Sequence, residues 1–166
     1  KIFPEAWEKF LEPIPEDERN SLMSAYHKIF LGDDENKRLQ AAIAWSTWEG
    51  STSSMSYKPE MVSSFSNPKF ALAFALIENH YFMNLGFLEK EDQLIKSSSI
   101  DKIRHIPAKI IQGRYDMICP VETAWELSKN WQEAELIIAP SSGHSAFEKE
   151  ITHHLISATN EFSEHV

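Results

Sequence analysis

The chain has 166 residues, 42% of them hydrophobic, enough for one core of ordinary size or for part of a larger domain. Its formal charge of −9 makes a nucleic-acid backbone or an anionic membrane face an unfavourable partner. A single cysteine, Cys119, excludes an internal disulfide framework, no apolar run reaches bilayer-crossing length and no signal peptide opens the chain, so a cytoplasmic location is the expectation.

The chain starts at Lys1 rather than at a methionine, directly in KIFPEAWEKFLEPIP, and a preceding segment is expected to be missing. PEDERNSLMSAYHKIF reads as a helix with acids in its first turn and Leu22, Tyr26 and Ile29 on one face. DDENKRLQAAIAWSTWEG reads as a helix capped by Asp33 or Asp34 and ending at Gly50, with Leu39, Ala42, Ile43 and Trp45 at helical spacing. STSSMSYKPEMVSSFS is a polar connection with a short helix near Pro59. NPKFALAFALIENHYFMN follows, with Asn67 as cap and Pro68 at the first helical position. Its apolar residues (Phe70, Leu72, Phe74, Leu76, Ile77) lie on most sides, which predicts a well-buried helix.

After Gly86 the pattern changes. IRHIPAKIIQG is an apolar run too short for a helix, VETAWELSKNW a helix after Pro120, AELIIAP a second short strand, and EKEITHHLISATNEF a last helix with Ile151, Leu155, Ile156 and Thr159 inward. The order strand, helix, strand, helix predicts parallel strands joined by a right-handed crossover. Ligand chemistry in such sheets collects at the carboxyl ends of the strands. Asp116 and His144 each follow such an end, and each follows a glycine turn, so both are expected on one rim. A carboxylate bonded to one ring nitrogen of an imidazole holds the other ready to take a proton from a hydroxyl. The competing reading is an exposed turn aspartate and an unrelated loop histidine.

A nucleophile for that pair is harder to find. None of the five glycines (Gly32, Gly50, Gly86, Gly113, Gly143) brackets a serine in a Gly-x-Ser-x-Gly turn. Ser141, Ser142 and Ser145 read as turn residues of the histidine loop, and Cys119 as a small semi-buried residue rather than a thiol nucleophile. In an α/β-hydrolase the chain order is serine, acid, histidine, which puts the missing serine before Lys1.

The stretches WEG at 48–50, FALAFALIENHYFMN at 70–84, IRHIPAKIIQGRYDMICP at 103–120 and SSGHSAFE at 141–148 closely resemble proline iminopeptidases, across nearly the whole chain and in order. These are serine aminopeptidases of the α/β-hydrolase fold that remove an N-terminal proline from small peptides. The resemblance implies an α/β architecture: a helical cap over residues 1–95, then the C-terminal part of the hydrolase core over 96–166. The family's oxyanion stretch and nucleophile elbow are absent from this chain, so the N-terminal hydrolase segment is an implied partner and the chain alone is expected to be inactive. The resemblance makes Asp116 the triad acid and His144 the general base.

It also gives Glu49 and Glu78 to the substrate's free amino end. An exopeptidase must tell a chain end from a chain middle, and paired carboxylates bind an ammonium by charge-assisted hydrogen bonds. Trp45, Trp48, Phe74 and Tyr81 can wall a pyrrolidine ring or simply pack a core. Taken alone, Glu49 reads as a solvated helix end and Glu78 as a buried acid paired with an arginine such as Arg104. His153 and His154 are helix neighbours on different faces, no H-E-x-x-H occurs, and neither a metal nor an organic cofactor is expected. An unpaired edge of a parallel sheet invites association, so a homo-oligomer is a further expectation. The alternatives are another capped α/β-hydrolase, such as an esterase or epoxide hydrolase, and a non-catalytic module that assembles with another chain.

Overall fold

The computed structural model describes residues 2–90 and 92–164; Lys1, Glu91, His165 and Val166, which fall inside the expected cap and core segments, lie outside the described residues. The chain is mostly helical with one small parallel sheet, and it divides into two compact units.

The first unit comprises Lys1–Thr52 and Tyr57–Glu89. It holds α1 (Pro4–Leu11), α2 (Leu22–Phe30), α3 (Glu35–Thr52), α4 (Pro59–Phe65) and α5 (Pro68–Met83). Helix α1 has no counterpart among the elements read from the sequence; Pro4 starts it, since the ring pre-sets the helical φ where the missing N–H is not needed. The acids Glu16 to Glu18 do not open α2 as expected: they form a separate 3₁₀ turn, and α2 begins only at Leu22. Asp34 caps α3, its Oδ1 accepting from the Lys37 N–H at 3.0 Å. Gly50 does not end that helix, which continues to Thr52. A Cβ there would stand 2.9 Å from Phe65 Cβ and Cγ, so the glycine serves the close approach of α3 and α4. Asn67 caps α5 as read, accepting from the N–H groups of Lys69 and Phe70 at 3.1 and 3.3 Å.

Phe10, Tyr26, Phe30 and Trp45 form the centre of this unit's core, with the Phe10 and Tyr26 rings stacked 4.9 Å apart and Trp45 edge-on to Tyr26 at 5.0 Å. The Tyr26 hydroxyl is fully buried, donates to the Phe10 carbonyl at 2.5 Å, and is pushed well above its ordinary pKa by burial. Helix α5 is not buried all round. Ala71, Ala75 and Asn79 line its buried side, while Phe70 is exposed and Ile77 is 61% exposed. The small Ala71 and Ala75 of its inner stripe let α5 approach α3 closely, while Phe70 and Phe74 pack on Phe65 of α4.

The second unit comprises Ser53–Ser56 and Lys90–Val166. It contains a single-turn α6 (Ser97–Ile100), β1 (Lys109–Gly113), α7 (Val121–Asn130), β2 (Glu135–Ala139) and α8 (Lys149–Ser163). The strands pair in parallel, Lys109 opposite Glu135 and Gly113 opposite Ala139, as the alternation of elements predicts. Both helices pack on both strands. Helix α8 buries Ile151 and Ala158, whereas Leu155, Ile156 and Thr159, expected inward, are exposed. A sheet only two strands wide offers α8 a narrow contact and leaves the flanks of its apolar stripe uncovered.

Candidate active site

The ladder of the sheet is prolonged past β1 by the Arg114 N–H, which donates to the Ala139 carbonyl at 2.9 Å, and the Tyr115 N–H donates to Ser142 O at 2.9 Å. These bonds bring the two loops after the strands side by side. Their contact is so close that a Cβ on Gly113 would fall 2.0 Å from Gly143 O and 2.6 Å from Ser142 O. No side chain fits at that crossing, so a glycine in QGRYD is required sterically.

The crossing delivers Asp116 and His144 to each other. Asp116 Oδ2 lies 3.0 Å from His144 Nδ1. The carboxylate is buried, its side chain 5% exposed, while the imidazole is 40% exposed. Asp116 Oδ1 accepts from the N–H groups of Ile118 and Cys119 at 3.0 and 2.8 Å, and Oδ2 also accepts from Gln112 Nε2 at 2.9 Å. A carboxylate receiving this many donors is oriented and needs no rotamer search. With Oδ2 accepting, the proton of the neutral imidazole sits on Nδ1, which leaves a lone pair on Nε2 able to accept a proton. Gln112 was not singled out in the sequence, although a polar residue just before the glycine of the apolar run KIIQG was a signal. It donates both to Asp116 and to the Cys119 carbonyl, at 2.9 Å each, and so ties the turn to the strand. Cys119 itself is exposed rather than semi-buried, because its backbone and not its side chain faces the carboxylate. Ser142 and Ser145 are buried loop residues: the Ser142 hydroxyl donates to Glu150 and the Ser145 hydroxyl accepts from the Phe147 N–H.

Glu49 and Glu78, the two residues that the resemblance gives to the substrate amine, belong to the first unit. Glu49 is half-buried on α3, whose extension to Thr52 makes it an interior helix position and not a solvated end. Glu78 is half-buried on α5, and its Oε2 accepts from the Trp45 Nε1–H at 2.6 Å. Trp45 and Glu49 are one helical turn apart on α3, so the indole and both carboxylates meet across the α3–α5 packing. Burial first, and then the Glu78 charge, push the Glu49 carboxyl from its ordinary 4.5 up to about 7. Arg104 is engaged elsewhere, by Asp101 at 2.9 Å and Glu133 at 2.7 Å. Of the four aromatic candidates Trp45 is a core residue, Trp48 and Phe74 pack partly against the same core, and Tyr81 is exposed against Phe87 and His80. Among the described residues no group of three or more His, Cys, Asp or Glu side chains is placed to hold a metal ion.

The raised Glu49 carboxyl predicts a pH-dependent stability. Its folded-state pKa lies above the unfolded value, so the folded state holds the extra proton, and stability falls as pH rises from about 4.5 to about 7 and is flat above. Glu49→Gln removes this term. The variant should gain on the order of 3 kcal/mol relative to the parent between pH 4.5 and 8. Paired thermal melts at the two pH values measure it; a constant difference would mean that Glu49 titrates normally.

No family model matches the chain. Curated relatives do. The chain is 49% identical over 162 residues to a protein named proline iminopeptidase from Xylella fastidiosa, covering 98% of this chain and 51% of the relative. It is 50% identical over 163 residues to one from Xanthomonas citri, with the same coverage, and 48% identical over 158 residues to one from Arabidopsis thaliana, covering 95% of this chain and 41% of the relative. The chain thus spans about half the length of the curated relatives it matches.

Proposed function

We propose that this chain, which belongs to the proline iminopeptidase family, supplies the acid, the base and the amine-binding residues of a serine aminopeptidase that releases N-terminal proline from small peptides. The observation that carries the reading is the Asp116–His144 hydrogen bond at the ends of two adjacent parallel strands. In this reading the second unit is the C-terminal part of an α/β-hydrolase core and the first unit its helical cap. The rest of such a hydrolase, about half of the family's length, brings the serine and the oxyanion donors. The half-buried faces of β1 and β2 support this, since parallel strands are ordinarily covered on both faces.

The chemistry follows from the tautomer. His144 Nε2 takes the serine proton as the oxygen attacks the prolyl carbonyl, and Asp116 stabilises the imidazolium that forms. The same proton then goes to the leaving amine, and water repeats the cycle on the acyl-enzyme. Glu78 and Glu49 take the secondary ammonium of the N-terminal proline. An ammonium between them offsets the burial and the like charge that raise Glu49, so substrate and the ionised carboxylate favour each other. Among the described residues no helix is long and apolar enough to cross a membrane, and a cytoplasmic location accords with small peptides as substrates.

The reading is tested by comparing the whole protein with this chain on proline-naphthylamide. The whole protein should turn it over, and the chain alone should show no activity above background, because acid, base and cap cannot replace a nucleophile and oxyanion donors. Turnover by the chain alone that Cys119→Ala abolishes would make the exposed thiol the nucleophile. A whole protein that cleaves neutral esters but no N-terminal proline substrate would favour an esterase-like enzyme.

A further inference from the structure

We infer that Glu148 is a positioning residue for His144: its buried carboxylate ties the segment after α3 to the histidine loop and thereby holds the imidazole against Asp116. The inference rests on the reading of His144 as the general base.

Glu148 stands at the cap position of α8, where a carboxylate would ordinarily accept from the N–H groups of its own first turn. It makes no such bond. The residue is 8% exposed, and its side chain turns back instead. Oε1 accepts from the Met55 N–H at 3.0 Å, and Oε2 accepts from the Gly143 N–H, the residue before His144. The carboxylate therefore bridges two backbones. The bridged segment closes the arrangement from its own side: the Ser53 carbonyl accepts from the N–H groups of His144 and Ser145 at 2.9 and 2.8 Å. A Cβ on Gly143 would lie 2.9 Å from Met55 N and 3.3 Å from both Glu148 Oε2 and Ser53 O, so the loop is seated without slack. The backbone on both sides of the His144 Cα is thus held, by Glu148 through Gly143 and by Ser53 through His144 and Ser145. With the backbone held, the ring meets Asp116 Oδ2 at 3.0 Å.

The bonding also says which residue type the position requires. Each oxygen of Glu148 faces a backbone donor, so an amide would set its NH₂ against an N–H on one side or the other. Neighbouring Glu150 differs: its Oε2 alone accepts from both the Ser141 N–H at 2.9 Å and the Ser142 hydroxyl at 3.1 Å, and a glutamine oxygen can do the same.

In the whole protein Glu148→Gln should lower kcat for an N-terminal proline substrate on the order of tenfold or more with KM within about twofold, since a base displaced by a fraction of an ångström loses rate rather than binding. In isotope-labelled protein the downfield Nδ1–H resonance of His144, which depends on the bond to Asp116, should weaken or vanish, and the amides of His144 and Ser145 should exchange faster. Glu150→Gln should leave all three readouts unchanged. Glu148→Asp keeps two accepting oxygens but withdraws them by one methylene. It should show the same losses in smaller measure, and it stands in if the Gln variant does not fold. An unchanged kcat and His144 resonance in the folded Glu148 variants overturns the inference, as does an equal loss in Glu150→Gln. If the whole protein is inactive on proline substrates yet Glu148→Gln erases the resonance and speeds exchange, the activity reading fails and the positioning role stands.

Discussion

Asp116→Asn in the whole protein is expected to lower kcat/KM for an N-terminal proline substrate by about 10⁴ while keeping a cooperative thermal melt. The bonding around the carboxylate gives the reason. Oδ1 accepts from two backbone N–H groups, those of Ile118 and Cys119, so the asparagine oxygen must occupy that position. The NH₂ group is then forced into the place of Oδ2, facing His144 Nδ1 and Gln112 Nε2. Nδ1 becomes the acceptor, the ring proton moves to Nε2, and the base has no lone pair for the serine. The side chain keeps its size and its bonds from the Ile118 and Cys119 N–H groups and gives up the one from Gln112, which still donates to the Cys119 carbonyl, so the loss is mainly chemical. Steady-state kinetics beside a thermal melt separates the two. A loss below about tenfold would return Asp116 to the role of a turn residue whose carboxylate serves only Ile118 and Cys119.

The residues that make this argument were unevenly visible in the sequence. Asp116 and His144 could be placed because the signal is local: a short apolar run, a glycine, a polar tip, repeated once with a helix between. Parallel pairing then follows from chirality rules alone. What the glycines do was not legible. Gly113 is there because two loops cross with no room for a Cβ, and Gly50 because Phe65 packs on the α3 backbone, both facts about residues distant in sequence. The Ser53–Ser56 segment is a stronger case. It reads as a polar connection between helices, yet it belongs with the second unit and its backbone accepts from the histidine loop some ninety positions on. Periodicity also misjudged burial. Phe70, Ile77, Leu155 and Ile156 are apolar but exposed, because a hydrophobic pattern states what a helix face would cover and not whether a neighbour is present to cover it.

Burial and like charge make the Glu49–Glu78 pair costly to maintain, and a ligand that relieves that cost should be sensitive to both residues. Glu78 accepts from the Trp45 N–H, whereas Glu49 is the member pushed up to about 7, so near neutrality Glu49 is the adjustable charge of the pair. Glu→Gln at either position keeps size and polarity but removes the charge. A hydrogen bond to a charged group is worth roughly 1.5–3 kcal/mol, so kcat/KM for an N-terminal proline substrate should fall about ten- to a hundredfold or more. A neutral ester that reaches the same serine offers no ammonium and should be much less affected. The ratio of kcat/KM on the two substrates also cancels any pH dependence of the steps that both share. That ratio should rise with pH through about 7 in the parent as Glu49 ionises. In Glu78→Gln the rise should move to lower pH, because the like charge that adds to the burial effect on Glu49 is gone. Equal losses on ester and peptide would mean that the glutamates serve the packing of α3 on α5. No loss on either would leave them without a substrate role, and an esterase-like enzyme would then be the better reading of the Asp116–His144 pair.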